Sequence, residues 1–164
     1  MGKKKLAAPK IDRSRIVVKS SPIHGKGVFV AKAIKKGDAI IEYKGERISW
    51  RLAEKRHPHN PKDPNHTFYF SLEDGRCIDA KYGGNAARWI NHSCKPICET
   101  REDSFGGEPR VFIYAKRDLK VGEELFYDYS LGVDGRITKQ MKKDYECCCG
   151  AKKCRGTMLA LKDK

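Results

Sequence analysis

Four cysteines crowd into the eight residues Cys147-Cys148-Cys149-Gly150-Ala151-Lys152-Lys153-Cys154, and this run constrains the chain more than any other feature. Cys147, Cys149 and Cys154 follow the spacing C-x-C-x4-C, which no regular helix or strand can turn toward one point. A tight loop around Gly150 can do so, and a tetrahedral metal site then needs one more ligand from elsewhere. If Cys94, in Asn91-His92-Ser93-Cys94, is that ligand, the metal staples the C-terminal tail over the Asn91-His92 segment. A tail held over a polar loop would act as a lid on a cofactor site.

A disulfide framework is the alternative for the seven cysteines. Adjacent residues make poor disulfide partners, and the N-terminus has no apolar h-region of an export signal. Metal ligation in a reduced compartment is therefore favoured, with Cys77, Cys98 and Cys148 left as ordinary thiols. The expectation is an intracellular protein: cytoplasmic, or at chromatin in the nucleus if eukaryotic or delivered into a host. No apolar run approaches the roughly 18 residues of a membrane span. Gly2 does not signal myristoylation, because Leu6 stands where Ser or Thr is required.

The 164 residues suit one domain with a real core. A formal charge of +14 predicts attraction to polyanions such as nucleic acid or nucleoprotein, against the plainer reading of a solvated basic surface. Residues 1–13 read as a lysine-rich, disordered arm. Strands are expected at Arg15–Lys19, after the Gly25-Lys26-Gly27 turn, at Ala39–Tyr43, Thr67–Leu72, Arg76–Asp79, Arg110–Ala115 and Leu125–Tyr129. Short helices are expected at Ser49–Arg56, Asn85–Ile90 and Arg136–Tyr145, the last a basic connector to the cysteine loop. The prolines of His57–Pro64 forbid regular structure there. The sum is a mostly-β fold with small helical insertions.

Four segments in order resemble the SET-domain protein lysine methyltransferases with their post-SET zinc loop. They are His24-Gly25-Lys26-Gly27-Val28-Phe29, Gly84-Asn85-Ala86-Ala87-Arg88-Trp89-Ile90-Asn91-His92-Ser93-Cys94, Gly122-Glu123-Glu124-Leu125-Phe126-Tyr127-Asp128-Tyr129, and the cysteine loop ending Cys154-Arg155-Gly156. The resemblance covers roughly residues 14 to 160. It implies a SET fold of several small sheets over 14–132, and a basic connector and post-SET zinc segment over 133–164. It also implies S-adenosylmethionine as methyl donor, one structural zinc ion, and a lysine of a histone or another basic protein as acceptor. Two departures stand out: Trp89 where the family often has Phe, and Lys95-Pro96-Ile97 where it commonly has Asp-Pro-Asn.

The resemblance also implies residue roles. Lys26 and Gly27 would contact the methionine end of the donor, Asn91 and His92 its adenine and amino-acid ends, with Arg88 and Trp89 flanking and Phe68 a further contact. Met158 or Leu159 would cap the adenine. Tyr129 would be the catalytic tyrosine, Tyr127 the residue that tunes methyl number, and Tyr43 part of the lysine channel wall. Cys94, Cys147, Cys149 and Cys154 would hold the zinc. A dinucleotide fingerprint is absent, since Phe29 and Val30 follow the glycines. A rival reading is a catalytically inactive SET-like module that binds peptide or chromatin. An enzyme of this charge also needs acid near its groove to attract a basic tail, and Glu99, Glu102, Asp103 and Glu108 are the sequence candidates. Lys3-Lys4-Lys5 with Lys139, Lys142 and Lys143 could instead meet the DNA of a nucleoprotein.

Overall fold

Hydrophobic alternation in short runs, broken by glycine turns, produces short strands. The computed structural model describes residues 7–56, 68–132 and 135–161. Strand takes 37% and helix 14%, so the fold is mostly β as the patterning implies. In chain order the strands are β1 (Ile16–Ser20), β2 (Lys26–Val30), β3 (Ala39–Glu42), β4 (Glu46–Ser49) and β5 (Tyr69–Ser71). There follow β6 (Arg76–Asp79), β7 (Asn91–His92), β8 (Cys98–Phe105), β9 (Glu108–Ala115) and β10 (Phe126–Tyr127). Two short helices, α1 (Trp50–Arg56) and α2 (Lys139–Asp144), and 3-10 turns at Arg13–Arg15 and Ala86–Trp89 complete the elements among the described residues.

Three antiparallel assemblies surround the main core, β1 with β2, β3-β9-β8, and β4-β6-β5, and Ile48, Ala53 and Cys77 form a smaller second cluster. Val28, Ile40, Ile113 and Leu125 reach zero exposure between them, each burial contributing about 1.5–3 kcal/mol. Ser49 starts α1 as expected, its hydroxyl accepting the Leu52 amide at 3.2 Å. Asn85 starts the Ala86–Trp89 turn by accepting the Ala87 amide, while its Nδ2 donates to the Glu42 carbonyl at 2.9 Å. The turn is thereby tied to β3.

The element that positions the site is the smallest. β7 and β10 pair in parallel over two residues, Phe126 against Asn91 and Tyr127 against His92. Parallel neighbours require a crossover, and here the intervening chain is the long β8–β9 hairpin. Two segments far apart in sequence are thus laid side by side. β10 is shorter than the expected Leu125–Tyr129 strand, and Tyr129 lies beyond it. The arm read as disordered from the sequence and the proline-rich stretch lie partly outside the described residues: 1–6 and 57–67 are not described, and Lys3-Lys4-Lys5 is among them. Residues 7–12 carry no regular structure, and Asp12 caps the turn that follows.

Candidate functional site

Because β7 lies beside β10, the Asn91-His92 pair and the two tyrosines meet. The Tyr127 and Tyr129 rings are 4.9 Å apart, and Tyr129 sits edge-on to His92 at 5.3 Å. Residues two apart on a strand share a face, and these two tyrosines meet although the strand ends at Tyr127. Tyr43 arrives from the end of β3 and donates its hydroxyl hydrogen to the Phe68 carbonyl at 2.9 Å. The Tyr129 hydroxyl donates to the Ile90 carbonyl in a short hydrogen bond. Burial raises all three phenols well above their ordinary range. They stay protonated, and with their hydrogens given to carbonyls, the Tyr43 and Tyr129 oxygens face the site as acceptors.

His92 is buried and neutral. Burial drives its pKa down to about 4 against the opposing pull of Asp128. Its Nδ1 accepts the Tyr129 amide at 3.0 Å, so the 3.6 Å approach of Asp128 to that nitrogen is not an ion pair. The ring hydrogen must then sit on Nε2, which lies 3.5 Å from the Cys94 sulfur. Asn91 is equally buried, and its Nδ2 lies near 3 Å from the Lys26 carbonyl and from Glu124 Oε1. That same carboxylate oxygen lies 2.1 Å from where a Cβ at position 27 would stand, so a larger residue there would push the Glu124 side chain away from Asn91.

The cysteine arrangement meets the geometric test for a metal. The four sulfurs of Cys94, Cys147, Cys149 and Cys154 lie within 4.8 Å of one another. Cys94 is 3.7 Å from Cys147 and 3.8 Å from Cys154. A tetrahedral ion with sulfur at about 2.3 Å requires sulfurs about 3.8 Å apart. All seven cysteines are free thiols in this arrangement, as ligation requires. Backbone amides of Arg155 and Gly156 point at the Cys94 and Cys154 sulfurs from 3.4 and 3.3 Å, donors that favour thiolates. The set can hold a zinc ion, and four sulfur ligands leave no open position.

The tail beyond this cluster is laid onto the site. Leu131 bridges Leu159 in parallel, with the Leu131 amide donating to Met158 and the Ala160 amide to Leu131. Leu159 is fully buried. Arg155 grips Asp128 through two hydrogen bonds of 2.7 and 3.0 Å. Burial alone would raise the Asp128 carboxyl, but Arg155 and Ser130 hold it down to about 2.

Two cavities share this centre. The larger, about 660 Å³, is walled by Tyr43, Tyr127, Met158 and Leu159, together with Trp50 and Tyr69. The smaller, about 360 Å³, is walled by Lys26, Trp89 and the Gly25 turn. His24, Arg88, Asn91 and Tyr129 line both. Lys26 and Arg88 each lie 4.8 Å from the Trp89 ring, and Phe68 packs edge-on against it at 5.3 Å. Gly27 and Phe68 line neither cavity and support residues that do.

Trp50, Tyr69, Phe70 and Tyr145 also wall the larger cavity and were not singled out in the sequence. For Tyr69 and Phe70 the available signal was the aromatic run Phe68-Tyr69-Phe70. The acid in the wall comes from Glu54, Asp144 and Glu146. Glu99, Glu102, Asp103 and Glu108 lie on the β8–β9 hairpin and line neither cavity, which corrects the expected acidic groove. Glu99 pairs with Arg101 at 2.5 Å, and Glu108 approaches Arg76 at 3.4 Å.

Comparison with known proteins agrees with this geometry. The SET domain profile matches residues 25–130. The chain is 37% identical over 155 residues to histone-lysine N-methyltransferase set1 of Dictyostelium discoideum, covering 93% of this chain and 10% of that protein. It is 37% identical over 146 residues to histone-lysine N-methyltransferase 2B of Homo sapiens, covering 89% of this chain and 5% of that one. Among solved structures, one described as ctPRC2 in an autoinhibited conformation bound to S-adenosylmethionine superposes with a TM-score of 0.65. That match is 31% identical and covers 72% of this chain and 15% of the other. The chain therefore spans a tenth or less of the Dictyostelium and human relatives' lengths. By profile, by relatives and by fold, this chain belongs to the SET-domain family.

Proposed function

We propose that the protein is an S-adenosylmethionine-dependent protein lysine N-methyltransferase that adds one or two methyl groups to a histone or another basic protein. The observation that carries the reading is the meeting of two cavities at the shared wall of His24, Arg88, Asn91 and Tyr129. A transfer between a small donor and a macromolecular acceptor needs two entrances and one point of contact. The methyltransferase relatives and the donor-bound neighbour support the same chemistry.

S-adenosylmethionine supplies a methyl group on a sulfonium, which a neutral amine displaces in line. Lys26 and Gly27 would hold the donor's methionine end and Asn91 and His92 its adenine and amino-acid ends, with Arg88, Trp89 and Phe68 flanking. Its adenine would run toward Met158 and Leu159. The acceptor lysine would enter between Tyr43, Tyr127 and Tyr129. A lysine of pKa ~10.4 is neutral about once in 2,500 at pH 7, a cost of roughly 4.6 kcal/mol. Aromatic walls lower that cost by disfavouring the charged amine. The carbonyl-anchored oxygens of Tyr43 and Tyr129 orient the amine and the methyl. Because the phenols are held neutral, none acts as a base, and water takes the amine's proton before attack. The Tyr127 hydroxyl occupies, directly or with a water, the space of a further methyl, so one or two additions are expected.

The zinc would be structural, holding the tail as one wall of the site. The exposed lysines of α2, Lys139, Lys142 and Lys143, would meet the nucleic acid of a nucleoprotein substrate. With a histone as substrate the activity would lie inside the cell, at chromatin. Among the described residues no helix is long and apolar enough to cross a membrane.

The test is mass spectrometry of histones and a panel of lysine-rich proteins after incubation with the donor. Mono- and dimethyl-lysine are expected, and Tyr129→Phe should lower the rate by roughly 10²–10³-fold. Absence of any methylated product would refute the enzyme, and dominance of trimethyl-lysine would refute the role given to Tyr127.

A further inference from the structure

The metal cluster is not the tail's sole fastening. Arg155 follows the last cysteine, and its side chain crosses to Asp128, between the two site tyrosines. Both side chains are about three-quarters buried, with exposures of 25% and 29%. The bond pair is bidentate, the geometry in which Arg and carboxylate bind with most direction. The Arg155 amide meanwhile faces the Cys94 sulfur at 3.4 Å. One residue thus touches both the sulfur cluster and the segment that follows β10.

Asp128 also shapes that segment. Its Oδ1 accepts the Ser130 amide at 2.9 Å, closing a tight turn. Ser130 has φ +43, the single left-handed non-glycine residue among those described. A left-handed serine costs about 1–2 kcal/mol and persists where neighbours hold it. Directly after this turn, Leu131 receives the tail through its amide and carbonyl. The turn is the dock, Asp128 holds its shape, and Arg155 clips the tail to it.

We propose that Asp128 and Arg155 are positioning residues: their ion pair seats the C-terminal segment on the Tyr129–Leu131 turn and so closes the wall of the larger cavity that Met158 and Leu159 form. The catalytic consequence rests on the methyltransferase reading above; the seating itself does not.

The experiment compares Arg155→Ala, Arg155→Lys, Asp128→Asn and the double variant in the full zinc-loaded chain, with metal content measured in each. Hydrogen exchange at the Leu131 and Ala160 amides, which bridge dock and tail, should quicken about tenfold in Arg155→Ala. The Met158 amide, bonded to Tyr145 within the tail at 2.8 Å, should keep its protection. A tail that merely unfolds would lose all three. KM for donor and acceptor should rise about tenfold with a smaller change in kcat, and Arg155→Lys should recover part of it. The double variant should be no worse than Arg155→Ala, as two partners of one bond require. Unchanged exchange at Leu131 and Ala160 with zinc retained, or additive losses in the double variant, would overturn the latch. If the wild type transfers no methyl to any acceptor, the enzyme reading fails, and the exchange pattern still decides the latch.

Discussion

Three tyrosines show how one residue type can serve methyl transfer without acid–base work. Tyr43 and Tyr127 are buried to 4% and 7% exposure, and burial raises their phenol pKa values together with that of Tyr129. For an acidic group raised by folding, the neutral form is the one the fold favours. Its contribution to stability is complete below the unfolded value near 10 and is lost as pH rises through the folded values. Two outcomes follow at the residue scale. The rate at subsaturating acceptor should climb about one decade per pH unit above pH 7, following the free amine, with no falling limb from tyrosine ionisation below about pH 10. In alkaline ultraviolet titration, these three of the seven tyrosines should ionise only as the protein unfolds. A falling limb near pH 9 that disappears in Tyr129→Phe would show that a tyrosinate takes part after all.

At the scale of elements, the β8–β9 hairpin marks the boundary of what sequence patterning can show. Strands with an apolar face were legible: Val28, Ile40 and Ile113 lie on β2, β3 and β9 as expected. β8 reads Cys-Glu-Thr-Arg-Glu-Asp-Ser-Phe, with charge on both faces, and suggests a solvated acidic patch instead. Pairing with β9 decides its structure, along the whole register from Cys98–Ala115 to Phe105–Glu108. Gly106-Gly107 was the available signal, a two-residue hairpin loop with φ of +61 and +83. The cysteine clasp was legible because metal spacing is a local pattern joined to one distant thiol. The Asp128–Arg155 pair was not, since a surface of 35 basic residues offers no means to choose a partner by sequence. The loop yields a direct test. A Cβ at Gly107 meets nothing within 4 Å, so Gly107→Ala is penalised through the backbone alone. It should cost about 1–2 kcal/mol, lowering the thermal midpoint by roughly 2–8 °C. Gly106→Asn should be nearly silent, because asparagine tolerates the left-handed region. Equal losses at both positions would mean the hairpin is not held by this turn.

For the whole molecule, the question is how a tail of some twenty residues becomes part of a site built by sheets it never joins. It has few apolar side chains to bury, Leu159 foremost, and its helix α2 buries none. Hydrophobic gain alone cannot seat it, so the sulfur cluster and the Arg155 bond must. Thiol counting tests this on the intact chain. Cys77 and Cys98 are inside the sheets at 0% and 1% exposure, and burial pushes their thiols up to about 11 and about 12, so neither should react while the sheets are folded. Cys148 is exposed and takes no part in the cluster. Freshly purified protein should therefore carry one zinc ion and present one reactive thiol. Chelation should release the four cluster thiols and raise the count to five, while circular dichroism of the strands stays unchanged and protease sites open between 139 and 161. Denaturant should complete the total of seven. Five reactive thiols in protein that retains its metal would place the ion elsewhere. Collapse of the strand signal on chelation would make the cluster a support of the whole core rather than the fastening of one wall.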